Sequence, residues 1–502
     1  MRHAQRIALA AAVIVFGLHL AANPHYGFFR DELYFIICGF HPQFGYVDQP
    51  PVVPLLAAST QSFGHSLFLL RAMPAIFAAA GAYVCCMLAF ELGGGAFAMA
   101  FSALVYFLTP VLASFGMKVS TDMVGLWTWP LLALLAVRIA KGGDARLWLL
   151  AGAVAGLSLQ SKYSVIFFLA ALVLGLLLTP QRRLLFTRWF GAGAAIAVVV
   201  ALPNFLWQAH NGYPMIELLE AGQNGKNEIV SAPMYLLQEL LITGGLLALV
   251  WLAGLVWLFR SAEYRFLAYA YVLLVAMMIA LHGKHYYPAD VYPIVIAAGA
   301  VAVERATSGA RGLRPIAFAL AVVFGAPLLP MVLPILPESD YVAYASSISR
   351  ALHVSSKATE TEPGRDAGRL PGDWADMHGW EHLAATVRRV YENLPKTQRA
   401  QAVVKTSNYG EASAIAFFAP DVPVISAHNQ FWLWGPRGYT GNVLIDVHGD
   451  CGASSRAFRS ARLAATIRDR WAIGYENGIP VMVCEGIREP LQRLWPLLKD
   501  YS

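Results

Sequence analysis

The sequence predicts a polytopic α-helical membrane protein of about eleven spans, followed by a small C-terminal extracytoplasmic α/β domain. Three observations carry that prediction. The 502 residues are 57% hydrophobic and only 14% charged, with a mean hydropathy of +0.52; soluble chains carry about a quarter charged residues. Apolar runs of roughly 17–25 residues recur, the length that crosses a ~30 Å hydrocarbon core. After Pro337 the composition turns polar, and no further run of spanning length occurs. The expected division is a membrane domain over 1–337 and an outer α/β domain over 338–502.

The candidate spans lie near 7–22, 67–90, 96–115, 123–140, 147–160, 163–179, 189–206, 234–259, 266–282, 288–303 and 315–336. The first follows Arg2 and Arg6 as a signal peptide would. It lacks a small-x-small cleavage site and more spans follow, so it reads as a retained anchor. With the N-terminus inside, Lys141/Arg146, Arg182/Arg183/Arg188, Arg260/Arg265 and Arg305/Arg311/Arg314 all fall in cytoplasmic loops. Agreement across four loops follows the positive-inside rule, and an odd number of spans sends the tail outside. In the tail, Trp380–Leu394 has helical periodicity. Ala402–Thr406, Val422–Ser426, Val443–Val447 and Pro480–Cys484 read as short buried strands. Strands alternating with helices make an α/β domain.

Composition also excludes. The net charge of +6 is dispersed among apolar spans, which is no nucleic-acid footprint. Five cysteines without a CxxC or Cys/His array exclude a familiar zinc site. Cys451 and Cys484, the two cysteines of the outer domain, are either a disulfide or two separate thiols.

The chemistry-bearing residues gather on the outer side. The stretch YGFFRDELYFIICGFHPQFGYVDQPPVVPLL (26–56) carries Arg30, Asp31, Glu32 and Asp48 among aromatics and prolines. Charges so near a membrane are expensive to hold and point to function. Asp31 and Glu32 are adjacent, so on a helix only one can face a given atom, the other anchoring the loop; Tyr34 shares the face. Such a carboxylate suits a general base. Asp122, in MKVSTDMVG, reads equally as a further acid and as the N-cap of the next helix, roles that are compatible. Lys162 and Lys284 lie tight against apolar runs, contrary to the positive-inside trend, and a lipid phosphate is the anion they would meet. Lys226 reads equally as a solvated loop lysine. Lys284, His285, Tyr286, Tyr287 and Tyr292 form a cluster of donors before a proline-broken helix; an interfacial aromatic belt would explain the tyrosines but not the Lys-His pair. No Gly-rich phosphate loop follows a strand, so nothing argues for a nucleotide-bound substrate.

These motifs resemble one family. RDELY at 30–34, GYVDQPP at 45–51, STD at 120–122, SKYS at 161–164 and KHYYPADVYP at 284–293 are similar to the membrane glycosyltransferases of the C superfamily. The likeness is to the glycosyltransferase family 39-like group, related to dolichyl-phosphate-mannose protein mannosyltransferases and to the aminoarabinose transferases acting on lipid A. NYGEASAI (408–415) and SAHNQFWLWGP (426–436) resemble the outer domain of bacterial members. The resemblance implies inverting transfer of a sugar from a polyprenyl-phosphate donor to an envelope glycan, lipid or protein acceptor, at the outer face of a bacterial inner membrane. It makes Asp31 and Asp122 catalytic, with Asp31 the base. Glu32, Tyr34, Asp48, Lys162, Lys284, His285, Tyr287 and Tyr292 would bind substrate. The aminoarabinose transferases have Glu-Lys before the two prolines where this chain has Asp48-Gln49, which shifts phosphate recognition to Lys162 and Lys284. No cofactor is expected: the acids could hold a divalent ion, but the reading assigns no residue to a metal. The competing class is a lipid or sugar transporter, which would place ionisable residues at the bilayer midplane on broken helices. A third reading, a glycan-binding envelope protein, would use Trp432, Trp434 and Tyr439.

Overall fold

A computed structural model describes residues 2–62, 64–222, 230–352, 368–452 and 457–501. Lys226 and most of the polar stretch after Leu352 lie outside the described residues. The chain forms two compact units, each taken by itself below.

The first unit comprises 1–25, 68–206 and 227–361. It is helical, and helices occupy every one of the eleven predicted stretches. Among the described residues, four helices have the length and apolarity to cross a membrane unaided: Arg2–Ala22, Leu67–Glu91, Arg188–His210 and Leu313–Met331. The predicted span 234–259 is instead two helices, Ala232–Ile242 and Gly245–Arg260, bent by 95°. The break falls at Gly244-Gly245, both with positive φ, a conformation glycine adopts at no steric cost. Ala96–Leu108, Gly125–Ala140, Leu147–Leu159, Val165–Leu177 and Arg265–Ala280 are shorter apolar helices; at 1.5 Å per residue the 16-residue ones reach about 24 Å. This is a multi-pass integral membrane protein.

The core of this unit contains one large apolar cluster, including Trp129 stacked on Phe168 at 4.7 Å. Without a hydrophobic drive inside lipid, helices associate through close packing of small residues. Gly254 and Gly299 do this for the Ala248–Arg260 and Tyr292–Ala306 helices, where a Cβ on either would strike the facing backbone. At one end of the Gly125–Ala140 helix, Arg138 and Lys141 both reach Glu91, at 2.9 and 3.0 Å. Arg314 meets Glu304, which also accepts the Gly95 N–H at 2.6 Å, and Arg305 lies over Trp257. The basic loops assigned to the cytoplasmic side thus dock on helix ends. Asp122 precedes the opposite end of that same helix.

The second unit comprises 26–67, 207–226 and 362–502. Its centre is a five-stranded sheet of order β2-β1-β3-β5-β4, with β1 Ala402–Thr406, β2 Val424–Ser426, β3 Val443–Val447, β4 Phe458–Ile467 and β5 Ile479–Ile487. β2, β1 and β3 run parallel, while β5 is antiparallel to both β3 and β4. β4 is absent from the sequence reading because it is an exposed edge: Phe458 to Ile467 carries Arg459 and Arg462 in place of buried apolar residues. Charged residues on an edge block pairing with other chains. Cys451 and Cys484 form a disulfide across the sheet's β5 side. The Tyr409–Phe418 helix packs on both the Trp380–Glu392 and Arg30–Phe40 helices. Consequently the loop 26–67, itself folded as Arg30–Phe40 and Val52–Thr60, joins the sheet in one unit.

Candidate active site

In the sheet unit, the Arg30–Phe40 helix starts with the two adjacent acids, and the structure gives them opposite environments. Glu32 is 0% exposed, and its Oε2 accepts the Phe29 N–H at 2.9 Å in a capping box. Carboxylates are favoured there because the first turn leaves N–H groups unsatisfied. The side chain of Asp31 stays 34% exposed, with Arg30 Nε at 3.6 Å. Its Oδ1 accepts the Tyr409 hydroxyl at 2.8 Å.

Arg30 is gripped on every side. It donates to the Tyr475 hydroxyl, pairs with Asp376 at 3.6 Å and lies over the Tyr409 ring at 5.3 Å. Gly410 makes room, since a Cβ there would meet Cγ and Cδ of Arg30. Sequence reasoning missed Tyr409, Tyr475 and Asp376 as partners. Tyr409 lies in the NYGEASAI motif, but nothing in one sequence pairs it with a residue 378 positions away.

Tyr34 and Asp48 come together as well. The Tyr34 hydroxyl donates to Asp48 Oδ1 at 2.9 Å and accepts the Gln430 N–H at 3.2 Å. Asn429 Nδ2 reaches Asp48 Oδ2 at 3.4 Å. The proline-bearing turn is pinned by Gln430 Oε1 on the Val47 N–H and by Gln208 on the Tyr46 carbonyl. Burial pushes the Asp48 carboxyl up to about 7, with the charge of Asp31 adding to it. Trp432 is locked by exchanging indole–carbonyl hydrogen bonds with Trp495, and Trp434 packs on His41 and Phe431.

In the helical unit, Asp122 does not cap the following helix, which has no side-chain cap. Its carboxylate is paired with Lys162. The ammonium of Lys162 also lies 4.9 Å from the Tyr287 ring and 5.6 Å from Tyr286, a cation–π arrangement that holds a lysine without neutralising it. Tyr163 donates to Asn204 at 2.7 Å, fixing the turn that presents Lys162. Asp290, which the sequence reading left out, is buried at Gly125 and interacts electrostatically with Asp122 and Lys162. Lys284 is half-buried, with its carbonyl accepting from Tyr235. His285 is buried, and desolvation with the neighbouring Lys284 pushes its imidazole down to about 4. Tyr292 is elsewhere: fully buried against Trp251 and Tyr271.

Residues 48–207 match the family described as dolichyl-phosphate-mannose-protein mannosyltransferase. The fold is similar to that of ArnT from Cupriavidus metallidurans bound to undecaprenyl phosphate, at 16% identity over 95% of this chain and 97% of that chain, with a TM-score of 0.61. The apo state of the same protein aligns at 14% identity over 95% and 96% of the two chains, also with a TM-score of 0.61. Comparison with curated protein sequences finds no match. The family match over 48–207 and the fold agree with the resemblance drawn from the motifs: over that stretch the chain is similar to protein mannosyltransferases, and its fold is that of a multi-pass membrane protein similar to ArnT.

Proposed function

We propose that the chain moves a sugar from a polyprenyl-phosphate carrier to a cell-envelope acceptor, a glycan, a lipid A or core sugar, or a protein, with inversion at the anomeric carbon. Asp31 is the general base that takes the acceptor hydroxyl's proton as that oxygen attacks the sugar. The leaving group is a phosphate already charged, so it needs cations and little acid catalysis. Lys162 and Lys284 supply them, with Tyr287 and His285 as further donors. Asp122 holds Lys162 in place, and the Tyr34–Asp48 pair shapes the loop beside the base. The reaction takes place on the outer side of a bacterial inner membrane and needs no metal.

The observation that carries this reading is the contrast between the two adjacent acids. Glu32 is consumed by capping, whereas Asp31 keeps an accessible carboxylate oriented by Tyr409 and Arg30. A base must be both reachable and held. The undecaprenyl phosphate named with the similar ArnT structure supports a polyprenyl-phosphate donor. The test is to give purified protein a labelled polyprenyl-phosphate sugar with extracted envelope acceptors. Released polyprenyl phosphate together with labelled acceptor is the expected outcome; movement of intact donor across vesicles without release would indicate a transporter instead.

A further inference from the structure

Glu411, His448 and Glu476 form a buried group in the sheet unit that the transfer reading does not use. Glu411 opens the Tyr409–Phe418 helix, where its Oε2 accepts the N–H groups of Ser407 and Asn408 at 2.8 and 3.4 Å. Its Oε1 lies 3.0 Å from His448 Nδ1. Glu476, in the Gly474–Glu476 turn, places Oε1 on Asn408 Nδ2 at 2.8 Å. Its Oε2 meets no donor among the described residues apart from the neighbouring Glu411 carboxyl, although Glu476 is only 5% exposed. One donor atom from each of the three residues lies within 4.8 Å of the other two.

Such a buried acceptor is costly unless something positive meets it. Left to themselves, burial pushes Glu411 up to about 7, and burial with the charge of Glu411 pushes Glu476 well up. His448 is held at φ +63°, a left-handed conformation that residues other than glycine rarely adopt. That backbone cost is borne at the one position whose imidazole turns onto the two carboxylates.

We propose that Glu411, His448 and Glu476 bind one divalent transition-metal cation. One imidazole nitrogen and two carboxylate oxygens suit Zn²⁺, with a fourth position left for water. Bonds of about 2.0–2.1 Å in a tetrahedron set ligand atoms about 3.3 Å apart. The observed group needs only small side-chain adjustments to reach that, and partly exposed His448 leaves a way in. Glu411 lies two residues after Tyr409, and Glu476 one after Tyr475. The cation therefore ties together the backbones that deliver those two tyrosines to Asp31 and Arg30. Asp446, Cys451 and Cys484 form another close group, but its sulfurs are joined in the disulfide. This proposal stands apart from the transfer reading and does not need it.

The test uses the tag-free full chain in detergent, stripped with EDTA and re-equilibrated with micromolar Zn²⁺. Mass-spectrometric metal analysis after desalting should find one zinc per chain, and Zn²⁺ should raise the melting temperature in proportion to the logarithm of its concentration. Glu476→Gln, which keeps shape and the bond to Asn408, should lose the zinc and weaken binding by about a hundredfold or more. His448→Gly tolerates the positive φ but deletes the imidazole bonded to Glu411, so without a metal site its melting temperature would differ from the parent's by the same amount with and without Zn²⁺. The proposal expects instead that this variant loses the Zn²⁺-dependent rise. Substoichiometric zinc in the parent, or full zinc retained by both variants, overturns it.

Discussion

The Tyr409 hydroxyl donates to Asp31 Oδ1 at 2.8 Å, joining the first turn of the sheet unit's Tyr409–Phe418 helix to the acid that opens the Arg30–Phe40 helix. Hydrogen bonds to charged groups are worth about 1.5–3 kcal/mol. Tyr409→Phe keeps the ring against Arg30 and Tyr34 and removes only the donor. If Asp31 must be held to act, turnover should fall roughly tenfold to a hundredfold at temperatures well below the melting transition, which itself drops by several degrees at most. Steady-state transfer assays on both proteins check this; undiminished turnover would mean the bond is only structural.

Gly410 is required by the stem of Arg30 rather than by its own backbone angle. Gly410→Ala forces the guanidinium off Tyr475 and Asp376, and overpacking of this kind costs about 1–3 kcal/mol. Thermal unfolding should show the loss, and in an Arg30→Ala background, where Cγ and Cδ are gone, the same Gly410→Ala change should cost little, so the two losses should not add.

Asp48 is raised to about 7, above its value in an unfolded chain. Its protonated form is therefore favoured by folding. The stability this contributes is complete below the unfolded pKa of about 3.9 and is lost as pH rises through 7. Melting temperature should decline between about pH 4 and 7, and Asp48→Asn should flatten that decline. A variant whose pH profile matches the parent's would remove Asp48 as the cause.

The Lys162–Asp122 pair is largely buried in the helical unit. Removing one partner strands the other charge, at about 3–5 kcal/mol. Lys162→Met should therefore destabilise strongly, and Asp122→Asn in addition should restore much of the loss. On the proposed reading neither restores donor affinity, because the cation itself is gone. By contrast, Lys284→Ala should raise the apparent KM for the lipid donor more than it lowers kcat.

The disulfide closes a loop between residues 33 apart. Constraint of the unfolded chain over that length is worth about 3–4 kcal/mol. Reduction, or Cys451→Ser with Cys484→Ser, should lower the unfolding midpoint accordingly, and thiol labelling should change on reduction.

Much of this molecule is legible from its sequence because membrane constraints are simple. Apolar length and the placing of arginines locate the helices, and Ala402–Thr406 and Val443–Val447 announce themselves as runs of β-branched residues. β4 is not legible, because an edge strand buries little and its arginines mimic a loop. The bend at Gly244-Gly245 is hidden inside one continuous apolar run. In the candidate site, the separate fates of Asp31 and Glu32 follow from helix capping, which sequence hints at. The partners Tyr409, Asp376 and Tyr475 depend on pairings hundreds of residues apart that local pattern does not carry. Asp122 is legible only as two compatible roles, cap or further acid: its Ser-Thr-Asp setting suggests the first, and its carboxylate is instead drawn to Lys162.

The central claim is that Asp31 is the base of a lipid-linked sugar transfer. The most direct measurement is the release of polyprenyl phosphate from a labelled donor by Asp31→Asn, which keeps a side-chain oxygen to accept from Tyr409 and so should fold as the parent does. The account predicts turnover lower by about 10²–10⁴-fold at unchanged donor affinity; turnover close to that of the parent would contradict it.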